Sequence, residues 1–556
     1  MPDKSSTFMT LKRCTRATAY ASAALLSVST WQASAQTVPD AGSLLRQTER
    51  GLNVPSAPAA APRREAKPSA PPQTGEATVT VVRFQFKGNT RLSEAQLQEA
   101  VAPFVGRPLS FLQLQQAADA VASAYREAGW VVRAFLPKQE IENGVVILQI
   151  MEAVFGQTQI QGKPPERIQA ERLRRIVQRA QPQGQALNAT NIDRALILLD
   201  DLPGISVSGS LVEGEQEGQT HLNLTVTDEA LITGGISADN TGSRSTGADR
   251  LSANLSLNSP ARLGDALVVN LLKTQGSEYQ RGAYSVPVGY QGMRAGVHYS
   301  HLTYGLIGDF AALGATGVAK TAGLDFSYPL MRSQMHNLNL ALSYDDKTFD
   351  NIANAGASSY SVKAYTVSLS GSQFDESGSV NASSLAITTG EKNTEGSYSK
   401  INLNLSRQQI LQDNLSLLVS ASWQIASKNL DSSEKIYLGG ASGVRAYPSN
   451  EGGGSEGRTL TTELRQRLAD RWTLSGFYDY GWAVVHRNTA TPASNPGNYN
   501  LQGYGVSLAW MGPHGLDLKA TAAQRINTNP LQSAQGMDTD GSYKSTRFWF
   551  NASMSF

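Results

Sequence analysis

From Ala230 to Phe556 apolar and polar residues alternate with a period of two, and no helical period is visible. In Leu251-Ser-Ala-Asn-Leu-Ser-Leu-Asn258 every second residue is apolar. Leu338, Leu340, Leu342 and Tyr344 repeat the pattern, separated by Asn339, Ala341 and Ser343. At the C-terminal end Phe548, Phe550, Ala552, Met554 and Phe556 share one face, and Arg547, Trp549, Asn551, Ser553 and Ser555 share the other. Successive side chains of a strand point to opposite faces, so the pattern predicts strands with one apolar and one polar surface. The segments run for about ten residues between Gly, Asn, Ser and Asp, the length a tilted strand needs to cross a bilayer. Sixteen can be counted, starting near residues 230, 249, 266, 279, 291, 318, 336, 361, 379, 397, 415, 458, 472, 501, 514 and 545. An even count suits a bacterial membrane barrel, and one of this size encloses an aqueous interior. A soluble sandwich also alternates, but with shorter strands and more charge on its polar face. The tight connection Gly289–Gly292 and the longer ones near residues 301–317 and 485–500 predict short turns on the periplasmic side and long loops outside.

Between residues 78 and 228 the pattern is mixed. An alternating strand at Thr78–Phe86 turns at Lys87-Gly88-Asn89. A helix follows from about Ser93, whose hydroxyl can cap it, with Leu97 and Val101 facing inward. A second helix spans Phe111–Ala128 and stops at Gly129. Strands at Val131–Leu136 and Val145–Met151 close the unit. The order β-α-α-β-β then recurs: strand Phe155–Gln161, helices Pro165–Arg179 and Asn191–Leu199, strands Ile205–Leu211 and His221–Thr227. Two modules, 78–153 and 154–228, are predicted as an internal repeat.

Ahead of them, residues 36–52 fit a short helix with Asp40 as N-cap, an apolar stripe at Leu44 and Leu45, and Arg46 beside it. Residues 53–77 carry Pro at 55, 58, 62, 68, 71 and 72 among many Ala, an extended linker that lets the helix sit away from its sequence neighbours. A disordered tail has the same composition. Lys4, Lys12, Arg13 and Arg16 precede an apolar stretch, Ala17–Val28, and then Ala33-Ser34-Ala35. That order predicts a secretory signal peptide over residues 1–35. The single cysteine, Cys14, would leave with it, so a closed hydrogen-bonded barrel has to supply the stability that secreted proteins often take from disulfides.

Composition narrows the function. Hydrophobic residues make up 40% of the 556 and charged residues 17%, below the ~25% of soluble domains. No apolar run approaches the ~20 residues of a spanning helix, which excludes a helical membrane bundle. A net charge of +2 gives no nucleic-acid footprint. The six histidines (221, 298, 301, 336, 486, 514) show no His-Glu-x-x-His spacing, and no Gly-x-Ser-x-Gly is present. Gly452-Gly453-Gly454 is not followed by Gly-Lys-Ser/Thr, so it is no phosphate loop. The expectation is a protein with no catalytic residues, metal or cofactor.

The chemistry is concentrated in one loop. Lys435–Arg458, "KIYLGGASGVRAYPSNEGGGSEGR", lies between the eleventh and twelfth strands and holds Val444-Arg445-Ala446-Tyr447. It resembles the Val-Arg-Gly-Tyr/Phe loop of the outer-membrane superfamily that includes BamA-type insertases and two-partner secretion transporters. Phe477-Tyr478-Asp479-Tyr480-Gly481 is similar to that family's Phe-x-Asp-x-Gly strand motif. The resemblance implies that the loop, about residues 430–457, folds into the barrel and that Arg445 pairs with Asp479; taken alone, the residues also fit a solvated external loop. A guanidinium and a carboxylate can share two parallel hydrogen bonds. Ala446 departs from the family's Gly, which would strain the loop if that position requires positive φ. The stretch "GNTRLSEAQLQEAV" and the Tyr125, Gly129, Trp130 and Leu136, Pro137, Gln139 steps resemble the first POTRA domain of two-partner secretion (TpsB-type) transporters. "SADNTGSRSTG", Ser237–Gly247, extends the likeness into the barrel.

That resemblance implies a sixteen-stranded transmembrane barrel (229–556) behind two periplasmic POTRA domains and a plug helix, in the outer membrane of a Gram-negative bacterium. The implied function is export of a large unfolded TpsA-type exoprotein, recognised through its N-terminal secretion domain, without ATP. Outer-membrane lipid and periplasmic chaperones are the other implied partners, and the protein is expected to be a monomer. A BamA-like insertase is the alternative; two POTRA modules favour secretion. Whether the cargo is an adhesin, haemolysin, contact-dependent toxin or haem carrier stays open.

Overall fold

The computed structural model describes residues 39–52, 78–485, 497–533 and 535–556. The predicted signal segment, the linker at 53–77 and most of the predicted loop at 485–500 lie outside the described residues.

Helix α1, Ala41–Leu52, opens on a reciprocal cap. The Ser43 N–H donates to Asp40 Oδ1 at 2.8 Å, and the Asp40 N–H donates to Ser43 Oγ at 3.1 Å. In the first module the predicted single strand is two short ones, β1 (Val79–Thr80) and β2 (Arg83–Lys87), because β1 turns aside to pair with β3 (Pro108–Leu109). Helices α2 (Glu94–Val101) and α3 (Phe111–Glu127) both begin with a capping box, Ser93 with Gln96 and Ser110 with Gln113. Strands β4 (Val132–Phe135) and β5 (Val145–Glu152) complete a sheet ordered β2-β5-β4. β4 stops short of the predicted Leu136, ahead of Pro137, which has no N–H to give a ladder. Two residues on, the Gln139 carboxamide takes the place of a strand, donating to Ile147 O and accepting from Ile147 N–H, both at 2.8 Å. That is the physical content of the Leu-Pro-x-Gln step.

The second module repeats this connectivity with β6 (Val154–Gln161), α4 (Ala170–Ala180), α5 (Ala189–Asp200), β7 (Ile205–Glu213) and β8 (Gln219–Asp228). In both sheets the first strand runs parallel to the last and the middle one antiparallel to it. α4 starts five residues later than predicted (170 against 165), because the Glu166 and Arg167 N–H groups are held by the Asp228 carboxylate outside the helix. Only Ala153 separates β5 from β6, and its N–H and C=O bond to Val131 and Leu187, so the modules are joined without a linker. Nearby, the Tyr125 hydroxyl and the Thr90 and Arg91 N–H groups all donate to the Glu152 carboxylate. Burial works to raise the Glu152 pKa, but these hydrogen bonds outweigh it and hold it below the usual carboxylate range.

The barrel follows as sixteen antiparallel strands closed into a ring. The first six are β9 (Ile232–Asp239), β10 (Arg250–Asn258), β11 (Ala266–Lys273), β12 (Ser277–Val288), β13 (Met293–Gly305) and β14 (Thr316–Arg332). Next come β15 (His336–Ala353), β16 (Gly356–Phe374), β17 (Val380–Lys392), β18 (Gly396–Gln412) and β19 (Leu415–Ala426). A long loop then carries the short pair β20 (Ile436–Tyr437) and β21 (Gly453–Gly454). The ring is completed by β22 (Glu456–Ala469), β23 (Trp472–Val484), β24 (Asn498–Met511), β25 (Leu516–Arg525) and β26 (Thr546–Ser555), which pairs with β9. Strand starts agree with the sequence pattern; β16 differs most, beginning at 356 rather than 361. Several strands exceed the expected ten residues, up to 19 in β16, so the predicted 301–317 loop shrinks to the stretch between Gly305 and Thr316.

Phe548, Phe550 and Phe556 point outward and are more than half exposed, while Arg547 and Trp549 are buried inside. The second module is docked on the short turns. Arg332 pairs with Asp201 at 2.6 Å, Arg194 donates to Pro329 O at 2.7 Å, and Arg172 donates to Pro287 O and Gly289 O. Gly264, at φ +76°, lets Leu202 approach so closely that a Cβ there would lie 2.7 Å from it.

Candidate functional site

The connection between β19 and β22 does not project outward. Its β20–β21 pair and the Val444 N–H to Leu438 O bond (2.8 Å) form a compact hairpin inside the barrel, with Leu438, Val444, Ala446 and Tyr447 fully buried. Alternation on β23 places Phe477, Asp479 and Gly481 on the lumen side, and the structure brings all three to this hairpin. Arg445 Nε and Nη2 donate to the two oxygens of Asp479 at 2.9 and 3.0 Å, and the Arg445 backbone N–H adds a third bond at 3.1 Å. The guanidinium lies 3.3 Å from the Phe477 ring centroid. Gly481 leaves room for Val444, whose Cγ2 would be 2.9 Å from a Cβ there.

Residues with no place in the sequence motif complete the setting. Arg445 Nη1 donates to Glu463 at 2.8 Å, Thr461 Oγ1 donates to Asp479 at 2.9 Å, and Trp549 Nε1 donates to the Arg445 carbonyl at 2.7 Å. Arg465 also pairs with Glu463 at 2.8 Å, so two cations meet two carboxylates. Arg525 lies over the Tyr447 ring at 4.7 Å and donates to Ala446 O. Glu451, wholly buried, accepts from Asn529 at 2.8 Å and Thr539 Oγ1 at 2.6 Å, which ties the hairpin to the β25–β26 loop. Alternation on β22 offered Thr461 and Glu463, but only the strand register sets Thr461 opposite Asp479. Trp549 was visible as the one large ring on the polar face of the last strand. Ala446 is not among the non-glycine residues with positive φ, so the strain that its departure from Gly would imply is absent. Its methyl group faces Gly503, where a Cβ would lie 2.5 Å from Ala446 Cβ.

Helix α1 lies across the lumen. Leu44 and Leu45 are buried in a cluster with Tyr279, Leu302, Tyr304 and Phe349 of the wall, and Arg46 is half-buried at a cavity beneath. The helix also rests on the hairpin's own loop. Ser432 Oγ donates to Asp40 at 2.8 Å, Asn450 donates to Gln47 at 3.0 Å, and Arg50 donates to Ser442 O at 2.9 Å. Gly42 sits against the 3-10 turn Ser432–Glu434, where a Cβ would fall 2.4 Å from Ser432 Oγ. That turn is fixed to the wall by Glu434 with Lys347 (2.8 Å) and Lys400 (2.5 Å), and by Asp431 with Lys392 (3.0 Å). His298 is a lumen residue bonded to Asp325 and Asp345. Among the described residues, no group of His, Cys, Asp and Glu is placed to hold a metal.

The family model described as haemolysin secretion/activation protein ShlB/FhaC/HecB matches residues 218–509, just over half of the chain. The chain belongs to this family. The model of the ShlB-type POTRA domain matches residues 79–153. The heme/hemopexin transporter protein HuxB of Haemophilus influenzae (strain 86-028NP) is 25% identical over 530 residues, 88% of this chain and 92% of that protein. The outer membrane transporter CdiB of Escherichia coli O6:K15:H31 is 26% identical over 418 residues, 70% and 69% of the two chains. Among solved structures, CdiB from Escherichia coli superposes with a TM-score of 0.70 at 22% identity, covering 92% of this chain and 98% of that one. BamA from Haemophilus ducreyi, lacking POTRA domains 1–3, gives 0.54 at 14%, covering 86% and 100%, a likeness of fold alone. The protein is thus an outer-membrane secretion pore of the two-partner type for TpsA-type exoproteins, with its POTRA region in the periplasm, and its relatives are transporters.

Proposed function

We propose that α1 and the loop carrying Arg445 together form the gate of this export pore. The observation that carries the reading is α1 itself, buried across the lumen and seated on the same loop that Arg445 fixes to the wall. At rest the helix blocks the passage. During export it leaves, and the predicted linker at 53–77 supplies the reach. The exoprotein is recognised in the periplasm through its N-terminal secretion domain, by strand addition to a module edge such as β7, which ends its sheet. The polar lumen lets the chain pass without losing hydration of its backbone. Folding of the cargo outside drives export, so neither ATP hydrolysis nor catalysis has a part. The barrel works as a monomer in outer-membrane lipid, and periplasmic chaperones deliver it for assembly.

Removing residues 37–52 raises single-channel conductance in planar bilayers; unchanged conductance would sink the gate. The cargo is found by comparing the proteins of the medium with and without this chain. A large protein with a secretion domain should disappear from the medium when the transporter is absent.

A further inference from the structure

Beneath α1 the lumen holds a cavity of about 1300 Å³, larger than the ~300–1,000 Å³ of a small-molecule site. Arg46, Gln47, Glu49 and Arg50 of α1 form its roof, and Leu198, Asp201 and Leu202 of the docked second module border its periplasmic side. Strand register orders its wall. Asn339, Ser370, Ser384, Asn404, Ser422 and Thr459 lie side by side on six consecutive wall strands, each paired with the next. The rows above and below are neutral but mixed: Ser368, Asn402 and Gln424 alternate with Ala341, Ala386 and Gly457 toward α1, and Ser372 and Ser406 flank Ala382 toward the periplasm. No residue on the three rows is charged. Charge returns at the two ends of this band: at the roof, where Lys347 and Lys400 are already occupied by Glu434, and at the periplasmic border, where Arg332 pairs with Asp201 and Arg294 also lines the cavity.

This wall is matched to a particular ligand. Asn404 donates to Ser384 at 3.0 Å and Asn402 to Gln424 at 2.8 Å, which uses one donor of each amide. Each amide keeps a second N–H, and its oxygen has two lone pairs. Rows two residues apart recur every ~6.8 Å, the two-residue repeat of an extended chain, and neighbouring strands stand ~4.8 Å apart. Charged walls would trap oppositely charged segments, and apolar walls would require the chain to lose water. Short neutral side chains exchange hydrogen bonds with a hydrated backbone and do neither.

We propose that this cavity is a holding site, in the resting transporter, for an extended and uncharged polar stretch of polypeptide that waits under α1. The proposal rests on the export reading above and adds to it a defined site occupied before the gate moves.

The test uses the full chain in liposomes, with Cys14→Ser where the leader is retained. Single thiols are placed at the wall (Ser384→Cys, Asn404→Cys) and at the lipid face (Leu385→Cys). The probe is an unstructured Ser/Thr/Asn/Gly peptide of about 40 residues, long enough at ~3.3 Å each to pass the ~30 Å hydrocarbon. It carries one activated disulfide, so attack by a wall thiolate forms a mixed disulfide and expels the pyridinethiol. Rates are divided by those of a small uncharged thiol reagent. With α1 in place, the wall thiols should react roughly tenfold or more faster than Cys at 385, as expected of a raised local concentration. Unmodified peptide should compete. Equal rates at 385 would overturn the site, as would reaction only after removal of residues 37–52. A neutral dextran competing as well as the peptide would overturn it in favour of a glycan. If the chain lacking residues 37–52 neither conducts ions nor is blocked by the peptide, the pore reading itself fails.

Discussion

Arg445 touches three separate strands: Asp479 on β23, Glu463 on β22 and, through its carbonyl, Trp549 on β26. Asp479 is 1% exposed, so it depends on this cation for its charge balance. Arg445→Ala leaves a carboxylate buried without its partner, a loss of about 3–5 kcal/mol. Export should fall sharply, while the folded barrel still runs as a compact band on unheated gels. Arg445→Lys keeps the charge but cannot reproduce the fork, so it should recover only part of the export. Normal secretion by the Ala variant would show that the pair is dispensable. Ala446 and Gly503 give a second test. Gly503→Ala sets two methyl carbons against each other at 2.5 Å and should reduce export and thermal stability by itself. Adding Ala446→Gly removes one of them, so the double variant should approach the parent; no recovery would mean that the methyl contact is not what Gly503 serves. The Val-Arg-x-Tyr and Phe-x-Asp-x-Gly residues were legible from sequence because both motifs are local. Alternation marks the faces of Glu463 and Trp549, but that they and Arg525 meet Arg445 and its loop was not legible, since each enters the site through barrel closure and register, which no short stretch of sequence encodes.

Among the elements, the 3-10 turn Ser432–Glu434 has the longest reach, because it supports α1 and is itself supported by Lys347, Lys392 and Lys400 on three different wall strands. Glu434 does not hydrogen-bond the helix; it sets the height of the turn on which Gly42 rests. Glu434→Gln removes the carboxylate that Lys347 and Lys400 share and should loosen the seat. Channel conductance should then rise to a level between those of the parent and the chain lacking residues 37–52, with the barrel intact. Conductance equal to the parent's would show that Leu44 and Leu45 hold α1 without the turn. Period-two alternation located the strands well, because lipid outside and water inside impose opposite demands on successive residues. It understated their length, since beyond the bilayer the same strands continue in water, where the outward residues need not be apolar. The turn escaped notice because Asp431-Ser-Ser-Glu434 reads as ordinary loop until Lys347 and Lys400 are brought beside it.

At the scale of the whole molecule, the order of helix, two modules and barrel was readable from the residues, but the docking of the helix as a plug came only from the family resemblance, and that of the second module from neither. The helix is separated from the modules by residues 53–77, and nothing in its own sequence says that it returns to the lumen between β13, β15 and the inward loop. The second module's hold on the turns is equally non-local, built from Arg172, Arg194, Arg332 and the close approach at Gly264. This docking borders the cavity with Leu198, Asp201 and Leu202, so in the docked arrangement a chain entering the cavity from the periplasm would pass beside α5. The consequence can be measured. Asp201→Cys with Arg332→Cys replaces a 2.6 Å ion pair by two thiols that a short bifunctional reagent can join. If the docked arrangement is the one that transports, the joined transporter should export at close to the rate of the unjoined double variant. Export that stops on joining, and returns when a cleavable reagent is reduced, would mean that the second module must leave the barrel for each chain that passes.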